Sequence, residues 1–275
     1  MSQLWVPVVI VVVIGLIAGL GLAIASILLA VPKDEKAEAI EEMLPGANCG
    51  ACGFSGCDGY ACALAENKTE ELSLCAPGGA AAAKEISKIL GKEAGSVTPM
   101  AAAVLCQGDR ASAEYKLHYS GIPSCKAAAQ LFGGQKACVY GCLGFGDCLA
   151  ACPYEAIFIC NGVARVNPDK CRACKKCIAA CPKGLITLLP LNTPQAAVLC
   201  KNRDKGANTR KQCKLGCIGC MRCVKACEHG AVTVENNLAR VDYTKCTGCG
   251  KCHAVCPVKC IDVITLQQHK KETRK

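Results

Sequence analysis

The sequence predicts a string of small α+β domains carried behind a single N-terminal transmembrane helix. Three observations predict it. Leu4 to Val31 is a run of 28 residues without one ionisable side chain, longer than the ~20 residues that cross a bilayer as a helix. The chain has 27 cysteines in 275 residues but is only 4% aromatic. Large side chains are too few for one sizeable apolar core, so small units built around their cysteines are expected. The chain also repeats itself: Ala-Val-Leu-Cys106 returns as Ala-Val-Leu-Cys200, and Cys138 to Cys152 returns as Cys213 to Cys227.

The apolar run is expected to stay as an anchor. A signal peptide would carry a basic leader and a shorter core, and the leader Met1-Ser-Gln has no basic side chain. Trp5 suits one interface, and Lys33 and Lys36 after the span place the C-terminal side in the cytoplasm by the positive-inside rule. Gly15 and Gly19, with Gly21 nearby, would let another helix approach closely. The span has no carboxylate or histidine, so it forms no ion path of the kind such groups mark.

Lys33 to Leu44 reads as a short helix with Ala37, Ile40, Met43 and Leu44 on one side, ended by Pro45-Gly46. A helical stretch is expected over Tyr60–Leu74, a surface helix over Ala76–Leu90 and a linker over Gly91–Pro99. Two hairpins are expected, Ala156–Val166 around Asn161-Gly162 and Ala231–Val241 around Asn236-Asn237.

The cysteines carry the chemistry. Cys246, Cys249, Cys252 and Cys256, followed by Pro257, read C-x2-C-x2-C-x3-C-P, the run that holds cubane clusters in bacterial ferredoxins. Its fourth cysteine serves a second cluster, so a partner copy is required, and Cys171, Cys174, Cys177, Cys181 and Pro182 supply one. A zinc ribbon would show two separated C-x2-C pairs instead. Crossed ligation gives Cys171, Cys174, Cys177 and Cys152 in one set and Cys246, Cys249, Cys252 and Cys227 in another. A third set is Cys217, Cys220, Cys223 and Cys256. Glu228 stands where a proline usually follows Cys227. In the first copy Phe145 replaces the cysteine matching Cys220, so Cys138 is expected to complete Cys142, Cys148 and Cys181. Upstream, Cys49, Cys52, Cys57 and Cys75 form a self-contained four-thiolate set.

These sets give five 4Fe-4S clusters. A sixth is possible at Cys106, Cys125, Cys200 and Cys213. Cys62, Cys160 and Cys260 read as buried free thiols, and His253 as a surface or supporting residue. The fold class is therefore small α+β iron–sulfur domains: a transmembrane helix, a four-cysteine 4Fe-4S domain, then two tandem bacterial-type two-cluster ferredoxin units. The expected boundaries are 1–32 for the anchor, 33–95 for the N-terminal cluster domain with a short helical linker, 96–195 for the first ferredoxin unit, and 196–275 for the second unit with a basic tail, His269–Lys275.

The formal charge of +10 does not point to nucleic acid, because each cubane with its thiolates adds roughly −2. There is no G-x-G-x-x-G between a strand and a helix, no Walker lysine and no nucleophile elbow, so no nucleotide site is expected. What remains is a membrane-anchored carrier of single electrons. Basic segments at Lys201–Lys214 and Lys170–Lys183 would attract an acidic partner.

The arrangement resembles the RnfB family of the Rnf membrane complex over essentially the whole chain, in its longer form with two ferredoxin units. The motifs that carry the likeness are the N-terminal helix, the Cys49-x2-Cys52-x4-Cys57…Cys75 domain and the ferredoxin repeats. The resemblance implies an electron-relay subunit of an ion-translocating ferredoxin:NAD+ oxidoreductase. It would take electrons from soluble ferredoxin beside other membrane, flavin- and NAD-binding subunits, with Na+ or H+ moved across the inner membrane. The alternative is a reductase branch that keeps a cytoplasmic iron–sulfur regulator reduced.

Overall fold

The computed structural model describes residues 5–28 and 34–264. The ends of the apolar run, Lys33 and the tail His269–Lys275 lie outside the described residues. Helix α1, Trp5–Leu28, is apolar throughout. Its stretch Val8–Ser26 has a mean hydropathy of 3.0 and none of it is buried by the rest of the chain, so it is long and apolar enough to cross a membrane. Nothing lies within 4 Å of where a side chain would begin at Gly15, Gly19 or Gly21.

Three helices build the N-terminal domain: α2 (Glu35–Met43), α3 (Cys57–Ala65) and α4 (Gly79–Leu90). Asp34 caps α2 by accepting from the Lys36 amide at 2.9 Å. Ile40, Tyr60, Leu64, Leu72 and Ile86 close one small core around Cys75. Two expectations need correction. Met43 faces solvent while Leu44 is buried, because α2 ends at Met43 and the chain turns extended at Leu44. The helix expected over Tyr60–Leu74 ends at Ala65. There Asn67 adopts a left-handed φ of 55°, and the Ala63 carbonyl accepts from Lys68 at 2.8 Å, closing the helix. The Tyr60 hydroxyl then donates to the Glu71 carbonyl at 2.7 Å, holding the irregular return that delivers Cys75.

After 91–99, which carry no regular structure, come strand β1 (Met100–Val104), helices α5 (Cys125–Gln130) and α6 (Asp147–Ala150), hairpin β2 (Ile157–Cys160) and β3 (Val163–Val166), helix α7 (Lys176–Ala180) and strand β4 (Ile186–Pro190). The second unit runs β5 (Gln195–Val198), α8 (Gly206–Gln212), α9 (Arg222–Lys225), hairpin β6 (Val232–Glu235) and β7 (Leu238–Val241), α10 (Lys251–Ala254) and β8 (Ile261–Ile264). In each unit the first and last strands pair antiparallel, β1 with β4 and β5 with β8. Both hairpins form as expected: Asn161-Gly162 and Asn236-Asn237 all have positive φ, the geometry that matches strand twist.

The two units are not separate bodies. Ala103 and Leu189 pack on Ala197 and Ile264, sheet against sheet. Backbone bonds also cross between them, Glu114 N–H to the Gln212 carbonyl at 2.9 Å and Lys214 N–H to the Ser112 carbonyl at 2.8 Å.

Candidate iron–sulfur centres

A recurring backbone device shapes the ligand runs. The second cysteine of three ferredoxin-type runs sits between two left-handed residues: Ala173 and Lys175 flank Cys174, Gly219 and Met221 flank Cys220, Gly248 and Gly250 flank Cys249. The chain thus curls around a point and then enters a one-turn helix, α7, α9 or α10, that presents the third cysteine. Non-glycine residues in this region cost about 1 kcal/mol or more each, so the curl is held by what surrounds it. Gly144 and Gly146 repeat the pattern around Phe145. Phe145 therefore keeps the backbone of a ligand position without its sulfur, and its ring packs edge-on against Tyr119 at 5.3 Å.

Cys125 comes to that gap. Cys125, Cys142, Cys148 and Cys181 line one cavity. Asp147 fastens Cys125 there, accepting from the Cys125 amide at 2.8 Å, the Lys126 amide at 2.9 Å and the Ser124 hydroxyl at 2.9 Å. Burial alone would raise the Asp147 carboxyl, but these bonds hold it below the usual range. Cys138 lies elsewhere. With Cys106, Cys200 and Cys213 it lines a second cavity, at the junction of the two units. Spacing alone exchanges these two cysteines. The cavities group them otherwise, Cys125 being held at the first unit by a tertiary bond to Asp147 that spacing does not reveal. A third cavity is lined by Cys217, Cys220, Cys223 and Cys256.

Each of the three cavities is lined by four thiols of these sets and is partly open to solvent. Four thiols are a donor set that fits a cubane. At the junction a side chain on Gly108 would begin 3.3 Å from the Cys213 sulfur and 3.8 Å from the Cys106 sulfur, so only glycine leaves the cavity clear. Backbone amides point at the sulfurs, as in iron–sulfur sites: Ala156 to Cys152 at 3.4 Å, Ala231 to Cys227 at 3.3 Å, and Leu185 to Cys181 at 3.5 Å.

Thiols of the remaining sets lie near enough to shift one another. Burial pushes the Cys75 thiol up, and Cys57, Cys52 and Cys49 beside it add to the shift. Burial raises Cys177 to about 11, helped by Cys171, Cys174 and Cys152. Cys252 is raised by burial and by Cys246 and Cys227. Cys148 and Cys200 are each raised to about 12, chiefly by burial. Thiols in this condition are protonated at neutral pH, so loading a cluster must expel protons.

The sets form a row. Cys49 neighbours Cys174, and Cys177 neighbours Cys148. The Cys142 amide donates to the Cys106 sulfur at 3.4 Å, and the Cys217 amide donates to the Cys200 sulfur at 3.4 Å. In the second unit Cys217, Cys223 and Cys252 share one core, with Cys227, Cys246 and Cys256 packed against it. The junction set thus touches one set of each ferredoxin unit through a single hydrogen bond on either side.

Some residues were not legible from spacing. Cys260 is buried as expected, but its sulfur lies 3.7 Å from that of Cys256. Its thiol holds Cys217 near 6 and Cys256 near 5, below the usual thiol range. Cys62 and Cys160 are exposed, not buried. Cys62 sits on the outer face of α3, and Cys160 ends β2 at its turn. Glu228 pairs with Lys251 inside the last ligand run, a surface pair of small energetic value. His253 is half-exposed, its Nδ1 2.7 Å from the Ile261 carbonyl. In the segment Lys170–Lys183, Lys175 and Lys176 donate to the Ala51 and Ala47 carbonyls at 2.9 and 3.3 Å, and Lys183 donates to the Gly133 and Val139 carbonyls at 2.8 Å. Those three lysines tie the segment to neighbouring loops, with Lys175 still exposed.

Comparison with known proteins agrees with this architecture. A family described as "Putative Fe-S cluster" matches residues 44–77, "4Fe-4S binding domain" matches 163–186, and "4Fe-4S dicluster domain" matches 213–263. The B subunit of the Na(+)-translocating ferredoxin:NAD(+) oxidoreductase complex of Acetobacterium woodii is 44% identical, covering 95% of this chain and 78% of its own. Its counterpart in the proton-translocating complex of Clostridium ljungdahlii is 40% identical, covering 94% and 93%. The equivalent component of the ion-translocating oxidoreductase complex of Methanosarcina acetivorans is 38% identical, covering 91% and 97%. With cysteine-lined cavities behind an apolar helix and relatives matched over most of their length, the chain belongs to the RnfB family of ion-translocating ferredoxin:NAD+ oxidoreductase complexes.

Proposed function

We propose that this chain is the membrane-anchored electron relay of such a complex, holding six 4Fe-4S clusters in a row between reduced ferredoxin and partner subunits that bind flavin and NAD. The clusters supply one-electron chemistry and nothing else, since four sulfurs close every site. The ligand sets are Cys49, Cys52, Cys57 and Cys75; Cys152, Cys171, Cys174 and Cys177; Cys125, Cys142, Cys148 and Cys181; Cys106, Cys138, Cys200 and Cys213; Cys217, Cys220, Cys223 and Cys256; and Cys227, Cys246, Cys249 and Cys252. The observation that carries this reading is the junction cavity: four thiols from both units, hydrogen-bonded to a ligand of each neighbouring set. Without it the two units would be separate carriers.

In this reading the apolar helix anchors the relay in the inner membrane with its cysteine domains in the cytoplasm, where ferredoxin and NAD are found. Na+ or H+ is then carried by partner subunits, because α1 offers no ionisable group. Membrane vesicles containing the complex should reduce NAD+ with reduced ferredoxin and build an ion gradient as they do so. Vesicles that reduce NAD+ without a gradient would remove the coupling, and vesicles inert to ferredoxin would remove the relay.

Ferredoxin docking is assigned to the segment Lys201–Lys214. Arg203, Lys205, Arg210, Lys211 and Lys214 are exposed or half-exposed there, within a few residues of Cys200 and Cys213. Reversing Lys201, Arg203, Lys205, Arg210 and Lys211 to Glu should slow reduction by ferredoxin roughly tenfold or more at low salt, the gap closing as salt rises. Stopped-flow reduction across a salt series measures it, and an unchanged low-salt rate contradicts the assignment.

A further inference from the structure

Lys136 is the sole buried charged residue among the described residues, with 1% of its surface exposed. Its ammonium donates to the Gly108 carbonyl at 2.6 Å and the Gly162 carbonyl at 3.1 Å. Among the described residues no carboxylate pairs with it. A buried ammonium without a counter-ion is strongly disfavoured; two neutral carbonyls and the Tyr115 ring, 6.0 Å away at its centroid, supply no net negative charge. Lys136 lines the junction cavity together with Cys106, Cys138, Cys200 and Cys213. The missing anion is therefore the occupant of that cavity.

A second buried polar residue faces the same space. Asn202 is 1% exposed, and its Nδ2 donates to the Cys138 sulfur at 3.4 Å and to Gln212 Oε1 at 2.8 Å. Its orientation is fixed, because its Oδ1 accepts from the Asp204 amide at 2.7 Å. The device is one-sided. In the repeat, Lys136 stands two residues before Cys138 as Lys211 stands two before Cys213, yet Lys211 is exposed. The cavity of Cys142 is lined by the half-buried Lys183 and that of Cys217 by the exposed Arg222, so neither holds a cation as deeply buried as Lys136.

We propose that Lys136 is the internal counter-ion of the junction centre, and that with Asn202 it raises the reduction potential of that centre above what its four thiolates alone would give. This rests on the six-set reading above. A fixed positive charge beside the cavity stabilises the more negative, reduced state, and an N–H donor to a ligand sulfur acts in the same direction. The junction then accepts an electron readily from one ferredoxin unit and is shielded from losing its anion to solvent.

The test is an EPR-monitored redox titration of the anaerobically purified full chain, with iron counted in each sample, for wild type, Lys136→Met and Lys136→Arg. In Lys136→Met with iron retained, one centre should become harder to reduce by about tenfold in its equilibrium constant, ~59 mV for one electron, while Lys136→Arg stays near wild type. A titration unchanged in Lys136→Met, iron retained, overturns the proposal and leaves the six-set reading intact. Loss of about four irons in Lys136→Met but not in Lys136→Arg, one cubane's worth, also supports it, since charge is then what holds the anion. Equal loss in both variants overturns it, because shape and not charge would be the requirement. A wild type with only about 20 irons, five cubanes, removes the reading and the proposal together.

Discussion

Replacing Cys106 and Cys138 together with alanine is expected to remove about four irons, one cubane, and no more. Both sulfurs border the junction cavity, so the second substitution finds the cluster already gone. The pair Cys125→Ala and Cys138→Ala should instead remove about eight irons, two cubanes, because those cysteines line different cavities. Had Cys138 served Cys142, Cys148 and Cys181 in a five-cluster chain, the second pair would cost only one cluster; with a sixth at Cys106, Cys125, Cys200 and Cys213 as well, the first pair would cost two. Iron and sulfide analysis of the two double variants separates the arrangements. The functional effect of losing the junction is larger than its iron count. The Cys142 and Cys217 amides would lose their shared neighbour, and electrons supplied at one ferredoxin unit should no longer appear at the other on the timescale of turnover.

The sequence made most of this visible, and the exchange of Cys125 with Cys138 shows where it stopped. The runs around Cys174, Cys220 and Cys249 are legible because spacing alone brings their first three cysteines together. The hairpins are legible because Asn-Gly and Asn-Asn between apolar strands favour positive φ. Cys125 is not, because its place depends on the bond from its amide to Asp147, 22 residues further on. A usable signal existed. The repeat equates Cys106 with Cys200 and Cys138 with Cys213, so the four junction thiols are two matched pairs, and Cys125 has no counterpart in the second copy. Lys136 gave no signal at all, since nothing in a sequence distinguishes one lysine of many as buried. The N-terminal domain shows the same limit: Tyr60–Leu74 suggests one helix, but Asn67 and the bond from Tyr60 to Glu71 impose a return after Ala65.

Asp147→Ala is expected to empty the cavity of Cys125, Cys142, Cys148 and Cys181. The carboxylate accepts three hydrogen bonds from the start of α5, each of a kind worth ~1.5–3 kcal/mol. Without them the segment carrying Cys125 loses its fastening, and Phe145 offers no sulfur to replace it. The variant should bind about four irons fewer, one cubane, with the other sets intact. Asp147→Asn keeps one acceptor oxygen and should retain a larger share of that cluster. The same carboxylate gives the site a pH limit. Its folded pKa is lowered, so its contribution is present above the ordinary carboxylate pKa and is lost as pH falls through the lowered value. Below that pH the fastening of Cys125 weakens in the wild type, an effect Asp147→Asn cannot show. Equal iron content in wild type and Asp147→Ala would mean that Cys125 needs no anchor, or is no ligand.

Counting iron and acid-labile sulfide in the anaerobically purified wild-type chain tests the central claim most directly. Six occupied sets require about 24 of each per chain, with the broad visible absorption of iron–sulfide charge transfer. About 20 of each would contradict the junction centre, and a colourless, folded protein would contradict every assignment of these cysteines.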